Sequence, residues 1–378
     1  MGCSDLASEP LRILTAVPLC DGHDSAVMAV NQALILQGYE VVYLGYHRSV
    51  QDIVRAAIQE DVVAVGISSY NGGHLEFFRE VVELLEVKGR CDIGVFGGGG
   101  GTITPADVVL MKSYGVDEIF LAGTSFEFID ERLRELYGGG RDRAECELEI
   151  ANDDRGLAMV LSSVGSLEID RKKWVRGSAK VIGFTGPGGA GKSTLIDEWV
   201  RGYLADHPVG RVAILTHDPS SMERGGLLAD RASMVYAQDD RVFMRSLATR
   251  GRQGGFAPST EVCLRVLASV AAGFDHVLVE TVGTGQEALP FENSVIDTKV
   301  LVLHPEYGAR VQLQKILMMD SADVVVLNKT DWASAARAVE EVAHQISLSN
   351  EGEVRLYQTQ ASEHGNVGVT ELRKDLLG

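Results

Sequence analysis

Residues 186–193 read Gly-Pro-Gly-Gly-Ala-Gly-Lys-Ser, directly after the apolar run 181–185 and directly before a helix-forming stretch at 194–200. The spacing Gly186-x4-Gly191-Lys192-Ser193 is that of a phosphate-binding loop, and strand–loop–helix is the context that loop requires. Glycines let backbone N–H groups face phosphate oxygens, while the N-terminus of the following helix adds positive potential. Gly186, Gly188, Gly189, Ala190, Gly191 and Thr194 form the expected cradle. Lys192 is expected to reach the β- and γ-phosphates, and Ser193 to ligate Mg²⁺. The second half of the chain therefore reads as a nucleotide-binding α/β domain.

Downstream of the loop, strand candidates lie at 211–216, 276–280, 298–303 and 324–327. Asn328-Lys329-Thr330-Asp331 follows the last of them. A carboxylate at Asp331 accepts hydrogen bonds from guanine N1–H and the exocyclic amine, a pair that adenine lacks, so the motif selects GTP/GDP over ATP. Gln360 and Ala361, after the strand-like 354–357, would contact the base. Glu280-Thr281-Val282-Gly283 ends another strand, placing Glu280 near Mg²⁺ and Gly283 where a γ-phosphate is sensed. Asp218 ends a further strand and is the second metal-linked carboxylate. Gln286 stands three positions beyond Gly283, whereas small signalling GTPases keep glutamine directly after that glycine. Slow intrinsic hydrolysis, activated by a partner, is the expectation. Lys192, Asp218, Glu280 and Gln286 are the catalytic candidates, and 221–231, 247–255 and 283–290 the candidate switch loops.

Upstream, apolar runs at 11–19, 40–44, 62–68, 92–96 and 118–121 alternate with helical periodicity at 25–37, 50–60, 75–88 and 105–114. Five strands joined by four crossovers make a flavodoxin-like (Rossmann-type) sheet, which binds ligands at its carboxyl edge. Asp21-Gly22-His23, Ser68-Ser69-Tyr70, the glycine loop 97–101 and Gly123-Thr124 all fall at strand ends and converge there. A neutral imidazole at His23 suits a transition metal, with Asp21 fixing its tautomer. Ser68, Gly98, Gly100 and Gly101 leave a slot for a long, slender ligand. No cysteine pair or carboxylate cluster completes a protein-only cage, so the metal is expected inside a cofactor.

The chain has 378 residues and a net charge of −18, which argues against nucleic acid or an anionic membrane as partner. Five scattered cysteines (Cys3, Cys20, Cys91, Cys146, Cys263) without CxxC spacing suggest a reducing compartment and no zinc site. No run approaches the roughly 20 apolar residues of a membrane span, and neither a lipidation nor a secretion signal is recognisable. A cytoplasmic protein is expected. The expected domains are 1–135, a linker with a helical element at 136–178, and 179–378.

The motifs also carry a family resemblance. Asp21-Gly22-His23, Ser68-Ser69-Tyr70 and the run 97–101 resemble the DxHxxG, SxL and GG motifs of cobalamin-binding domains in acyl-CoA mutases; Ala26 and Tyr70 depart from that pattern. The resemblance implies His23 as the lower cobalt ligand and Asp21 as its partner, with Gly22, Ser68, Tyr70, Gly97, Gly98, Gly100, Gly101, Gly123 and Thr124 around the cofactor tail. GPGGAGKST, HDPSSMERGGLLADR, ETVGTGQ and LNKTD resemble the GTPase chaperones of methylmalonyl-CoA mutase. The domain order is similar to the fused isobutyryl-CoA mutase family, in which a substrate barrel follows. The barrel is expected either as a separate large subunit or as the remainder of a longer protein. The resemblance implies adenosylcobalamin, GTP/GDP and Mg²⁺ as ligands and the mutase barrel subunit as partner; an adenosyltransferase supplying the cofactor and a homodimer are further expectations, and the sequence does not fix the oligomeric state. The competing expectation is a stand-alone chaperone that delivers cobalamin to a complete mutase.

Overall fold

The computed structural model describes residues 10–19, 25–70, 72–139, 153–164, 174–220, 224–252, 254–283, 295–307, 319, 322–348 and 354–378. The chain divides into two compact units, one of Met1–Glu145 with Ser220–Ala232, the other of Cys146–Pro219 with Ser233–Gly378.

In the first unit, strands β1 (Arg12–Pro18), β2 (Glu40–Arg48), β3 (Ala64–Ser68), β4 (Gly94–Gly99) and β5 (Glu118–Leu121) alternate with helices α1 (Ser25–Leu36), α2 (Val50–Gln59), α3 (His74–Val87), α4 (Pro105–Ser113) and α5 (Phe126–Tyr137). Near-continuous apolar strands such as β1, whose last six residues are buried, are what a parallel sheet covered on both faces demands. Local chemistry sets the helix starts. Ser49 and Thr104 form capping boxes with Asp52 and Asp107, satisfying backbone donors that the first turn leaves open.

The second unit begins with α6 (Asp154–Ser163), β6 (Lys180–Thr185), α7 (Lys192–Asp206) and β7 (Val212–Asp218). The chain then contributes β8 (Gly226–Leu228) to the first unit, where it extends a six-stranded sheet of order β5-β4-β3-β1-β2-β8. The second unit continues with β9 (Val242–Ala248), α8 (Thr260–Leu267), β10 (His276–Glu280), β11 (Thr298–Leu303), β12 (Val324–Leu327), α9 (Ala335–Leu348), β13 (Arg355–Gln358) and α10 (Val367–Leu377). Its seven strands run in the order β13-β12-β11-β6-β10-β7-β9, every pairing parallel. The fold is therefore α/β throughout. α6, expected as part of a linker, buries Leu157, Ala158, Val160 and Leu161 in the second unit's core.

Three local expectations change. The glycine run was read as one loop, but Gly97, Gly98 and Gly99 are ladder residues of β4, paired with β3 and β5. A Cβ at Gly99 would stand 1.8 Å from the Ser69 carbonyl oxygen, and one at Gly97 would stand 2.4 Å from that of Ile67. Tight strand approach, not turn geometry, selects glycine there. Leu247 and Ala248, expected in a switch loop, close the buried strand β9. α5 also forms where the sequence reading placed no helix, burying Ile129 and Leu133 beneath a charged outer face.

Candidate functional site

In the first unit the carboxyl ends of β3, β4 and β5 enclose a cavity of about 330 Å³. Seven of the residues picked out for a cofactor tail line it: Ser68, Tyr70, Gly97, Gly98, Gly100, Gly123 and Thr124. Gly101 is not among the lining residues, and Asp21, Gly22 and His23 lie outside the described residues. The remaining wall is mostly apolar, with Val30, Phe96, Phe120 and Ile129. A Cβ at Gly98 would come within 2.6 Å of the Phe120 carbonyl, and one at Gly100 within 2.1 Å of the Tyr70 ring. Side chains at the glycine row would therefore collide with the cavity's own walls. A slot left open by absent side chains suits a long, mostly apolar ligand held by few polar groups.

The second unit assembles the phosphate loop at the carboxyl end of β6, its central strand. Gly186 takes φ +140°, and a Cβ there would stand 2.0 Å from the Val302 carbonyl oxygen, so β11 presses the loop's first residue into a glycine-only position. Lys192 is buried at the start of α7, its Nζ donating to the Gly186 carbonyl at 3.2 Å and the Pro187 carbonyl at 3.4 Å. Glu280 Oε1 lies 4.0 Å from that ammonium and accepts from Ser193 Oγ at 2.9 Å. The expected lysine, hydroxyl and carboxylate are thus gathered around one point. Gly188 N–H donates to the Gly283 carbonyl at 3.0 Å, tying the loop to the segment after β10. Asp218 is buried at the end of β7; Gln286 lies outside the described residues.

The guanine-selecting motif follows β12. Asn328 is buried and joins two loops: its amide donates to the Ala190 carbonyl at 2.9 Å, and its Oδ1 accepts from Thr359 Oγ1 and Ala361 N–H, both at 3.0 Å. Its side chain thus fixes the phosphate loop against the loop carrying Gln360 and Ala361. Lys329 has φ +61° and lays its ammonium 4.8 Å from the Trp332 ring centroid; Asp331 is exposed.

Sequence reasoning missed His217. Its buried ring donates from Nδ1 to the Glu280 backbone carbonyl at 2.7 Å, and its Nε2 lies 2.7 Å from Thr260 Oγ1. It anchors the strand end that presents Glu280. The available signal was a histidine inside an otherwise apolar strand, adjacent to Asp218. Burial pushes its pKa down to about 4, the Glu280 backbone contact offsetting only part of the effect. The folded chain therefore takes up this proton only near pH 4, whereas an unfolded chain does so near the ordinary value of 6.5. The group's contribution to stability, on the order of 3 kcal/mol, is complete above pH 6.5 and is lost as pH falls toward 4. His217→Gln is expected to flatten the urea midpoint between those pH values; an unchanged slope would contradict the assignment.

The profile described as methylmalonyl Co-A mutase-associated GTPase MeaB matches residues 168–375, and that described as B12 binding domain matches residues 11–127. The fused isobutyryl-CoA mutase of Cupriavidus metallidurans is 38% identical over 97% of this chain and 35% of its own length. The protein of the same name from Geobacillus kaustophilus is 36% identical over 96% of this chain and 36% of its own. The chain thus spans about a third of the length of these relatives. The 2-hydroxyisobutanoyl-CoA mutase small subunit of Aquincola tertiaricarbonis is 36% identical over 34% of this chain and 92% of its own. Among the described residues no helix is long and apolar enough to cross a membrane. With its phosphate loop and guanine-type motif in one unit and a B12-binding-type domain in the other, the chain belongs to the family of methylmalonyl-CoA mutase-associated GTPases, MeaB.

Proposed function

We propose that the chain is a cobalamin-binding small subunit fused to its own GTPase chaperone, and that it serves an adenosylcobalamin-dependent acyl-CoA mutase of the isobutyryl-CoA or methylmalonyl-CoA type. The observation that carries this reading is a glycine-walled slot and a complete phosphate loop with a guanine-selecting motif on a single chain. The slot fits a cobalamin tail: it is apolar, opens at strand carboxyl ends, and is lined by glycines whose Cβ atoms would collide with its walls. His23 would hold the cobalt with Asp21 orienting its ring, while Ser68, Tyr70, Gly123 and Thr124, which line the cavity, would surround the tail. Bound there, adenosylcobalamin supplies the radical chemistry of carbon-skeleton rearrangement to a substrate barrel on a separate large subunit or on the remainder of a longer protein.

In the second unit, Lys192 neutralises developing phosphate charge, and Ser193, Glu280 and Asp218 hold Mg²⁺ directly or through water. GTP hydrolysis gates loading of intact cofactor, supplied by an adenosyltransferase, and removal of damaged cofactor. Asp331 is exposed, so its pair of charge-assisted hydrogen bonds to guanine is partly screened and together worth roughly 1.5–3 kcal/mol. Asp331→Ala is therefore expected to weaken GTP binding about ten- to a hundred-fold and to erase the preference over ATP, as a competition titration with fluorescent nucleotides would show. Retained preference would move guanine recognition elsewhere.

The reading is tested by mixing the chain, loaded with adenosylcobalamin, with an acyl-CoA mutase barrel subunit that has no cobalamin domain. Turnover that depends on this chain supports the proposal. Cofactor transfer to a complete mutase, with no turnover on the isolated barrel, would instead make the chain a stand-alone chaperone.

A further inference from the structure

β8 is a strand of the first unit drawn from sequence that follows the second unit's Asp218. It pairs in parallel with β2, Glu40 opposite Gly226 and Val42 opposite Leu228. Gly225 N–H donates to the Ile35 carbonyl at 2.9 Å, and Gly226 N–H to that of Tyr39 at 3.1 Å. Leu228 is fully buried. Beyond the strand, Arg231 enters a closed polar socket: its Nε donates to Glu60 Oε1 at 3.2 Å and its Nη2 to Gln59 Oε1 at 3.1 Å, all three residues at 0% exposure. Glu60 is shared, its Oε2 accepting from Arg12 Nη1 at 2.9 Å. The Ala232 carbonyl accepts from Arg48 at 2.9 Å.

Two physical features set this attachment apart from the rest of the sheet. It is a three-residue edge strand with one fully buried apolar side chain, so little hydrophobic burial holds it. Its main anchor is a buried ion pair, whose Coulomb gain is largely offset by desolvation. Such a contact is specific in register yet inexpensive to open. The segment also begins seven residues after Asp218, a carboxylate assigned above to the nucleotide site.

We propose that residues 225–231 form a nucleotide-sensitive latch within the first unit: β8 docks on the β2 edge, keyed by Arg231 into Glu60 and Gln59, and GTP or GDP sets its occupancy through Asp218. The inference rests on the reading of the second unit as a GTP switch.

Hydrogen exchange read by mass spectrometry on the full chain tests it, with GDP, with a non-hydrolysable GTP analogue and Mg²⁺, and with no nucleotide. Peptides covering 225–231 and β2 are expected to differ about ten-fold or more in exchange between the GDP and analogue states, while β3 and β4 stay unchanged. Arg231→Met is expected to bring those peptides to fast exchange in every state and, because the coupling is reciprocal, to change the ratio of analogue to GDP affinity by about ten-fold. Should that variant fail to fold, Gly225→Ala serves instead, because its Cβ would stand 1.7 Å from the Tyr39 carbonyl oxygen and push β8 off the edge. Nucleotide bound, with exchange equal in all states, overturns the latch alone. Slow exchange retained in Arg231→Met overturns Arg231 as its key. Failure to bind fluorescent guanine nucleotide overturns the latch together with the GTPase reading.

Discussion

A Lys192→Ala chain is expected to lose GTP hydrolysis by about a hundred-fold or more and to bind nucleotide at least ten-fold more weakly. The ammonium is 6% exposed, pinned over the loop by the Gly186 and Pro187 carbonyls and 4.0 Å from Glu280. A preorganised charge in so dry a site costs no reorganisation when phosphate charge develops, which is why removing one such donor is so damaging. The Ser193–Glu280 contact does not depend on Lys192, so the site's remaining geometry should survive. Phosphate release assayed at saturating GTP reads the effect directly. Hydrolysis within about three-fold of the parent would remove Lys192 from the chemistry.

The second large effect belongs to the other unit. His23→Ala is expected to abolish base-off cobalamin binding while leaving GTP hydrolysis nearly intact. His23 falls in the connection from β1 to α1, outside the described residues, so the prediction stands on the motif and on the cavity formed at neighbouring strand ends. The resemblance makes the His23 imidazole the protein's ligand to cobalt, and the substitution deletes that ligand outright. Loss of both activities would indicate misfolding. Unchanged cofactor binding would place the lower ligand elsewhere.

The sheet strands were legible because doubly covered parallel strands are written as continuous apolar runs, as at 13–17 and 277–279, all fully or nearly fully buried. The phosphate loop was legible because close approach to β11 leaves glycine no alternative at Gly186. Other features are tertiary and left little local trace. β8 is three residues long and depends on a partner far away in sequence. The glycines of β4 have loop composition, and their ladder role follows from the closeness of the Ile67, Ser69 and Phe120 carbonyls. Asn328 was legible as part of a nucleotide motif, but its hydrogen bonds joining the phosphate loop to Thr359 and Ala361 are tertiary and left no local trace. His217 belongs to no motif and acts through the backbone of Glu280.

The central claim is that a cobalamin site and a GTP site share this chain. A visible-spectrum titration of the purified chain with adenosylcobalamin at neutral pH tests it most directly. A shift of the main visible band to shorter wavelength, saturating at one cofactor per chain, is the predicted result. No shift at saturating cofactor, from a chain that still hydrolyses GTP, would contradict it and leave a GTPase whose first unit holds no cobalamin.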